Sequence, residues 1–198
     1  MAVASAARAL SEIASEQANG QRDYSGFPWW HALLVPPNHE QKSADWLHRV
    51  RVFVYWPTFS RKICRRGHVS MRRQCAVLPG MLFVPREMID FPRRDEVFGY
   101  AEVHGFIRNS EGGPSAIGKP DIEMIRLLEA KLNLPPEAKG VFFKVGQEVR
   151  FGEDSILWGW RQGTIFEIAD ETRIGVEVPG LFGRATRVYV PASEIEAM

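Results

Sequence analysis

Cys64, His68 and Cys75 place two thiols and an imidazole in one short stretch, and they are the residues whose types would suit metal binding or nucleophilic attack. A structural zinc ion takes four such ligands, and this spacing matches no common zinc pattern. A thiolate nucleophile with His68 as its base would need a third group to orient the imidazole, and none is identifiable. Neither common type of glycine-rich phosphate loop is present. The chain is therefore expected not to be an enzyme and to need no metal or other cofactor.

Charge is the stronger signal. Between Trp46 and Arg86 there is no Asp or Glu, whereas Arg49, Arg51, Arg61, Lys62, Arg65, Arg66, Arg72, Arg73 and Arg86 all fall there. Arg61, Lys62, Arg65, Arg66, Arg72 and Arg73 form a concentration of cations suited to phosphate, with binding that depends on salt and not on sequence. A solvated loop tip protected against edge pairing would carry the same residues, so composition leaves both readings open. From Val141 onward acidic residues outnumber basic ones, nine to six. The overall net charge of +1 excludes a polycation, and the opposite signs of the two parts suggest two domains.

These residues need a scaffold, and periodicity outlines one. Trp29 to Val35 has bulky apolar residues on both alternating faces, as a central strand covered on both sides does, and Pro36-Pro37 ends it. Asn38 with Gln41 resembles a capping pair, and Ala44, Leu47 and Val50 recur at helical spacing, which predicts a helix from Asn38. Val52 to Ile63 and Cys75 to Val84 are rich in β-branched and aromatic residues and flank the arginines, predicting a hairpin with a long basic tip. Phe91 to Tyr100 assigns no element. Val103 to Ile107 predicts a short strand. Pro120, Asp121 and Glu123 suit a first helical turn, and Ile122, Ile125, Leu128 and Leu132 line one face of that helix. Leu134 to Gly140, with its paired prolines, reads as a boundary. Beyond it Ile174, Val176 and Val178, then Val188 and Val190, alternate with wetter positions. With Val145 to Phe151 and Gly163 to Ile168 they predict about five short strands in a small barrel.

Of the 198 residues 45% are hydrophobic and 25% charged, an ordinary globular composition. No run approaches the roughly 18–20 apolar residues of a membrane span, so no membrane is expected among the partners. Two cysteines are too few for a secreted disulfide framework, and Arg8 interrupts the apolar part of the Ala- and Ser-rich N-terminus. A cytoplasmic protein is expected.

The stretch LFGRATRVYVPASEIE, preceded by FKVGQEVRF and by Gly163 in RQGTIFEI, resembles the KOW module that ends NusG-type transcription elongation factors. Upstream, WWHALLV, LPGMLFV and VHGFI fall in the order and approximate spacing of the NusG N-terminal domain. The resemblance covers residues 29–198 and implies an α+β fold: an α/β sandwich on an antiparallel sheet at 29–134, a linker at 135–140 and an SH3-like barrel at 141–198, after a flexible extension at 1–28. It implies a monomeric binding protein that regulates elongation, termination or antitermination. Trp30, Leu78, Pro79, Gly80 and Met81 match the family's depression for RNA polymerase, which composition alone would read as core. The basic hairpin would touch upstream DNA. Leu181, Phe182 and Arg184 match the segment that meets Rho or NusE, with Leu181 and Phe182 otherwise closing the barrel. Met81 stands where the family often has an aromatic. Trp158 and Trp160 occupy a loop where its usual Gly-Pro-Phe type sequence is absent. Alternatives are an operon-specific paralogue and a KOW-containing RNA- or ribosome-binding protein.

Overall fold

The doubly apolar run at the start of the first domain forms β1 (Trp29–Leu34), and it is central as expected. β4 (Met81–Pro85) lies antiparallel on one side, with Trp30 opposite Pro85 and Leu34 opposite Met81. β5 (Gly105–Phe106) and β6 (Ile117–Gly118) lie on the other. The computed structural model describes residues 26–63, 71–89, 94–134, 143–153, 155–160, 162–170 and 172–198. The expected extension at 1–28 falls almost wholly outside these residues, as do the expected linker at 135–140 and Arg65, Arg66, Cys64 and His68.

Alternation along β1 and β4 sends side chains to two different cores. Leu33, Leu82 and Val84 pack with Leu47 of α1 (Glu40–Arg49) and Phe98 of α2 (Arg94–Tyr100). Trp30, Ala32, Met81 and Phe83 join Ile122, Ile125, Leu128 and Leu132 of α3 (Lys119–Asn133) on the other face. The α3 stripe is the one that periodicity predicts. Pro120 sits in its first turn, and Asp121 accepts a hydrogen bond from the Gly118 N–H at 3.3 Å.

Three local readings change. Asn38 does not cap a helix: it takes φ 69 in the turn after Pro36-Pro37, a conformation asparagine tolerates, and α1 starts at Glu40. The run from Cys75 to Val84 is two strands. β2 (Thr58–Ile63) pairs with β3 (Met71–Ala76), while β4 belongs to the other sheet. Pro79 has no N–H for a ladder and Gly80 turns at φ 78, which redirects the chain between them. The segment with no assigned element contains α2. Glu102, just beyond it, pairs with Lys42 and His39 of the α1 end, and hydrogen bonds from those two lower its carboxyl from 4.5 to about 2.

The C-terminal alternation yields a five-stranded antiparallel sheet in the order β10-β9-β8-β7-β11: β7 (Glu148–Phe151), β8 (Gln162–Asp170), β9 (Arg173–Val178), β10 (Thr186–Pro191) and β11 (Ile195–Ala197). Irregular register between β8 and β9 marks bulges, which let a sheet bend around its own core. Gly163 is required where β8 crosses β9: a Cβ there would lie 2.5 Å from Val176 Cγ1 and 2.8 Å from the Glu177 carbonyl oxygen. The molecule is thus α+β with antiparallel sheets. Among the described residues no helix is long and apolar enough to cross a membrane.

The C-terminal sheet is docked on the N-terminal domain, a packing that the sequence leaves open. One continuous apolar cluster runs from Trp30, Phe83 and Leu132 into Val149, Phe151, Ile165, Val176 and Val188.

Candidate interaction surfaces

The turn from Leu78 to Met81 is built around a buried carboxylate. Glu40, 4% exposed, accepts the Gly80 N–H at 2.7 Å, the Gly80 carbonyl accepts the Val35 N–H at 3.0 Å, and the Leu78 carbonyl accepts the Met81 N–H at 3.2 Å. Hydrogen bonds to charged groups are worth about 1.5–3 kcal/mol. Glu40→Ala is therefore expected to lower stability by about 2 kcal/mol in chemical denaturation, and Glu40→Gln, which keeps an acceptor, by less than half as much.

This turn is not the exposed depression expected of it. Trp30 (0% exposed), Leu78 (1%) and Met81 (4%) are core residues, Gly80 is buried and Pro79 is half-buried. Trp30 donates its indole N–H to the Phe27 carbonyl at 3.2 Å and packs edge-on to the Phe27 ring. The docked C-terminal sheet borders the turn from two directions. Val77, beside Leu78, accepts the Tyr189 N–H at 2.9 Å, and Phe83, on the same strand face as Met81, meets the Phe182 ring at 6.2 Å in an edge arrangement.

The Leu181–Arg184 segment divides by residue. Leu181 is buried and closes the C-terminal core, its carbonyl accepting the Thr186 hydroxyl at 2.8 Å. Phe182 sits at φ 56, ψ 33 between Gly180 and Gly183, an unusual conformation for a bulky residue, and carries its ring across to the N-terminal domain. Arg184 is exposed. Trp160 packs against the core and Trp158 lies in the same short 3-10 turn.

In the hairpin, Arg61 stands opposite Arg73 and Lys62 opposite Arg72. Arg72 and Arg73 are exposed. Arg61 instead donates to Glu167 of β8 at 2.9 Å, and Glu167 also accepts the Tyr189 hydroxyl. Burial alone would raise the Glu167 carboxyl, but Tyr189 and Arg61 outweigh it and hold it below its usual value. Burial, reinforced by that carboxylate, raises the Tyr189 hydroxyl. Burial also raises the Cys75 thiol, against the pull of Arg61 and Arg73, which leaves little of the reactive thiolate.

Sequence reasoning did not find the residues that join the two halves. Phe59 of β2, fully buried, lies between the Tyr189 ring at 5.1 Å and the Arg173 guanidinium at 5.3 Å. Arg173 also donates to the Leu132 carbonyl at 3.0 Å and to Asp170 at 3.0 Å. Lys131 of α3 pairs with Glu194 at 2.6 Å. An aromatic on a basic hairpin was the one available signal, since a solvated hairpin has no need of a phenyl ring at Phe59.

No protein-family model matches the chain, and no curated protein does. Among solved structures it is similar to the MjSpt4:Spt5 complex. Conformation A is 12% identical over 85% of this chain and 97% of that chain, with a TM-score of 0.28. Conformation B is 11% identical over 85% and 96%, with a TM-score of 0.24.

Proposed function

We propose that this chain is a NusG-type transcription elongation factor whose N-terminal domain binds RNA polymerase and whose C-terminal, KOW-type barrel recruits Rho or NusE. The reading rests on the ordered motifs from WWHALLV to LFGRATRVYV. The observation that supports it best is the contact between Phe182 and Phe83, two positions beyond Met81 on β4, at 6.2 Å. Apolar patches that serve partners are commonly covered when the partners are absent, and a joint between the domains beside the Leu78–Met81 turn would serve that purpose. Its action is binding, not bond making. When the barrel leaves the N-terminal domain, the turn at Leu78 to Met81 opens toward polymerase and Phe182 with Arg184 opens toward the second machine. The tether then holds that machine near the polymerase at high effective concentration. Arg72 and Arg73 face upstream DNA.

A binding-competent state that is seldom populated weakens apparent affinity by its own fraction. The docked arrangement thus favours the operon-specific form of this function, in which engagement is conditional. Immobilised bacterial RNA polymerase offered the full-length chain tests the reading. Phe182→Ala, which loosens docking, is expected to raise retention severalfold, and adding Pro79→Glu, a charge on the half-buried turn, is expected to abolish it. Retention indifferent to both substitutions would remove the turn as the polymerase surface.

A further inference from the structure

We infer that Glu129 and Asn133 of α3 are positioning residues for the DNA contact: they hold the open edge of β2 as a neighbouring strand would, and so fix the direction in which the hairpin presents Arg72 and Arg73. The inference rests on the reading of the hairpin as a DNA contact. β2 and β3 form a two-stranded sheet that no third strand joins. Such a ribbon is marginal by itself, and Arg61 opposite Arg73 with Lys62 opposite Arg72 weakens it further, since like charges across a strand pair repel. Its direction must be held from outside. Phe59 anchors one face of the ribbon, and the edge of β2 is a second, separate anchor.

That edge is held by side chains of α3. Glu129 accepts the Thr58 N–H at 2.7 Å, and Asn133 accepts the Ser60 N–H at 3.1 Å while donating to the Thr58 carbonyl at 2.8 Å. The spacings match, because four residues of helix advance about 6 Å and two residues of strand about 6.8 Å. Lys62 is the next position on β2 to face this way, and α3 ends at Asn133, so the ribbon beyond Ser60 extends past its support. Both side chains are themselves held. The second Glu129 oxygen accepts the Tyr55 hydroxyl at 2.8 Å, Tyr55 bridges to Phe83 of β4, and Asn133 also donates to the Glu129 carbonyl at 3.0 Å. The pose of the hairpin is thereby tied to the sheet of the N-terminal domain. Asn133 must donate and accept at once, which an amide does and a carboxylate does not. Glu129 only accepts, and burial raises its carboxyl against the hydrogen bonds from Thr58 and Tyr55. An amide at that position keeps the Thr58 bond and donates to a Tyr55 hydroxyl turned to accept.

The test is fluorescence anisotropy of a short mixed-sequence DNA duplex titrated with the full-length chain. Asn133→Asp sets a carboxylate against the Thr58 carbonyl and is expected to bind about tenfold more weakly than the unaltered protein, because its cations keep their binding pose for only a fraction of the time. Asn109→Asp makes the same change in net charge in a loop where the side-chain oxygen alone is used, and is expected to bind nearly as the unaltered protein does. Glu129→Leu should weaken binding as Asn133→Asp does, and Glu129→Gln should retain it. Ile125→Val trims the core face of the same helix without touching the edge, so it should lower stability and leave the affinity unchanged. Amide hydrogen exchange at Thr58 and Ser60 should quicken about tenfold in Asn133→Asp. Arg73→Ala reports on the hairpin itself and should weaken binding, with a salt dependence shallower by about one phosphate contact. Should Asn133→Asp fold poorly, the contrast between Glu129→Leu and Glu129→Gln decides the matter. Weakening by Arg73→Ala with normal binding by Asn133→Asp and Glu129→Leu, or an equal loss in Ile125→Val, would overturn the positioning role and leave the hairpin reading intact. Binding indifferent to Arg73→Ala, or absent from every form, overturns both, and tighter capture of a matched RNA duplex overturns the DNA assignment.

Discussion

Phe59→Ala is expected to remove about 4 kcal/mol of stability, a larger loss than substitution of Lys131 or Glu40 should bring. The ring belongs to a two-stranded hairpin, yet its contacts are made across the chain, to Tyr189 at 5.1 Å and beneath the Arg173 guanidinium at 5.3 Å. Truncation empties a fully buried site and forfeits both ring contacts, each worth about 0.5–1.5 kcal/mol beyond area burial. By contrast the Arg61–Glu167 pair beside it is partly exposed and contributes about 0–1 kcal/mol. The apolar contact therefore decides docking, and the ion pair adds little to it. Calorimetry should show one transition for the unaltered chain and two for Phe59→Ala, with the C-terminal sheet unfolding apart from the N-terminal domain. A loss under about 1 kcal/mol with one sharp transition would mean that Phe59 does not join the halves.

That division of labour explains what could be read from the sequence. Burial of both faces of Trp29 to Val35, where Trp29 is the exposed exception, is a property of each residue's own type, as are the stripe on α3 and the alternation of Ile174, Val176 and Val178. Each survives in the structure with little change. The run from Cys75 to Val84 is different: its composition says strand throughout, and only the choice of partner, β2 for its first part and β1 for its last, divides it at Pro79-Gly80. Asn38 likewise has a side chain suited equally to a helix cap and to a left-handed turn, and the position of the following helix selects the turn. Docking is the least legible feature because it depends on pairs far apart in the chain. Arg61 and Glu167 are separated by 106 positions, and no local period connects them. An exposed depression at Leu78 and Met81 is implied by the resemblance alone, whereas composition reads those residues as core, which is where the structure has them.

Lys131→Met should be the second costly change, at about 3 kcal/mol, and its cost should be asymmetric. Glu194 is 7% exposed and accepts three hydrogen bonds: from Lys131 at 2.6 Å, from the Ser155 hydroxyl at 2.9 Å and from the Ile156 N–H at 3.4 Å. Losing the ammonium strands a charge that two neutral donors cannot balance, and breaking a buried pair from one side commonly costs about 3–5 kcal/mol. The lower end applies because the Lys131 side chain is 23% exposed and water already shares its charge. Glu194→Gln removes the carboxylate instead, and the exposure of the Lys131 side chain lets it turn toward solvent, so the loss should be nearer to about 1 kcal/mol. The double substitution removes both charges and leaves an amide that can still accept from Ser155. It should be less destabilised than Lys131→Met alone, giving a favourable coupling of about 2 kcal/mol in a double-mutant cycle measured by chemical denaturation. Additive losses would show that α3 and the C-terminal sheet are held together by their apolar contacts and that this buried pair contributes nothing specific to the joint.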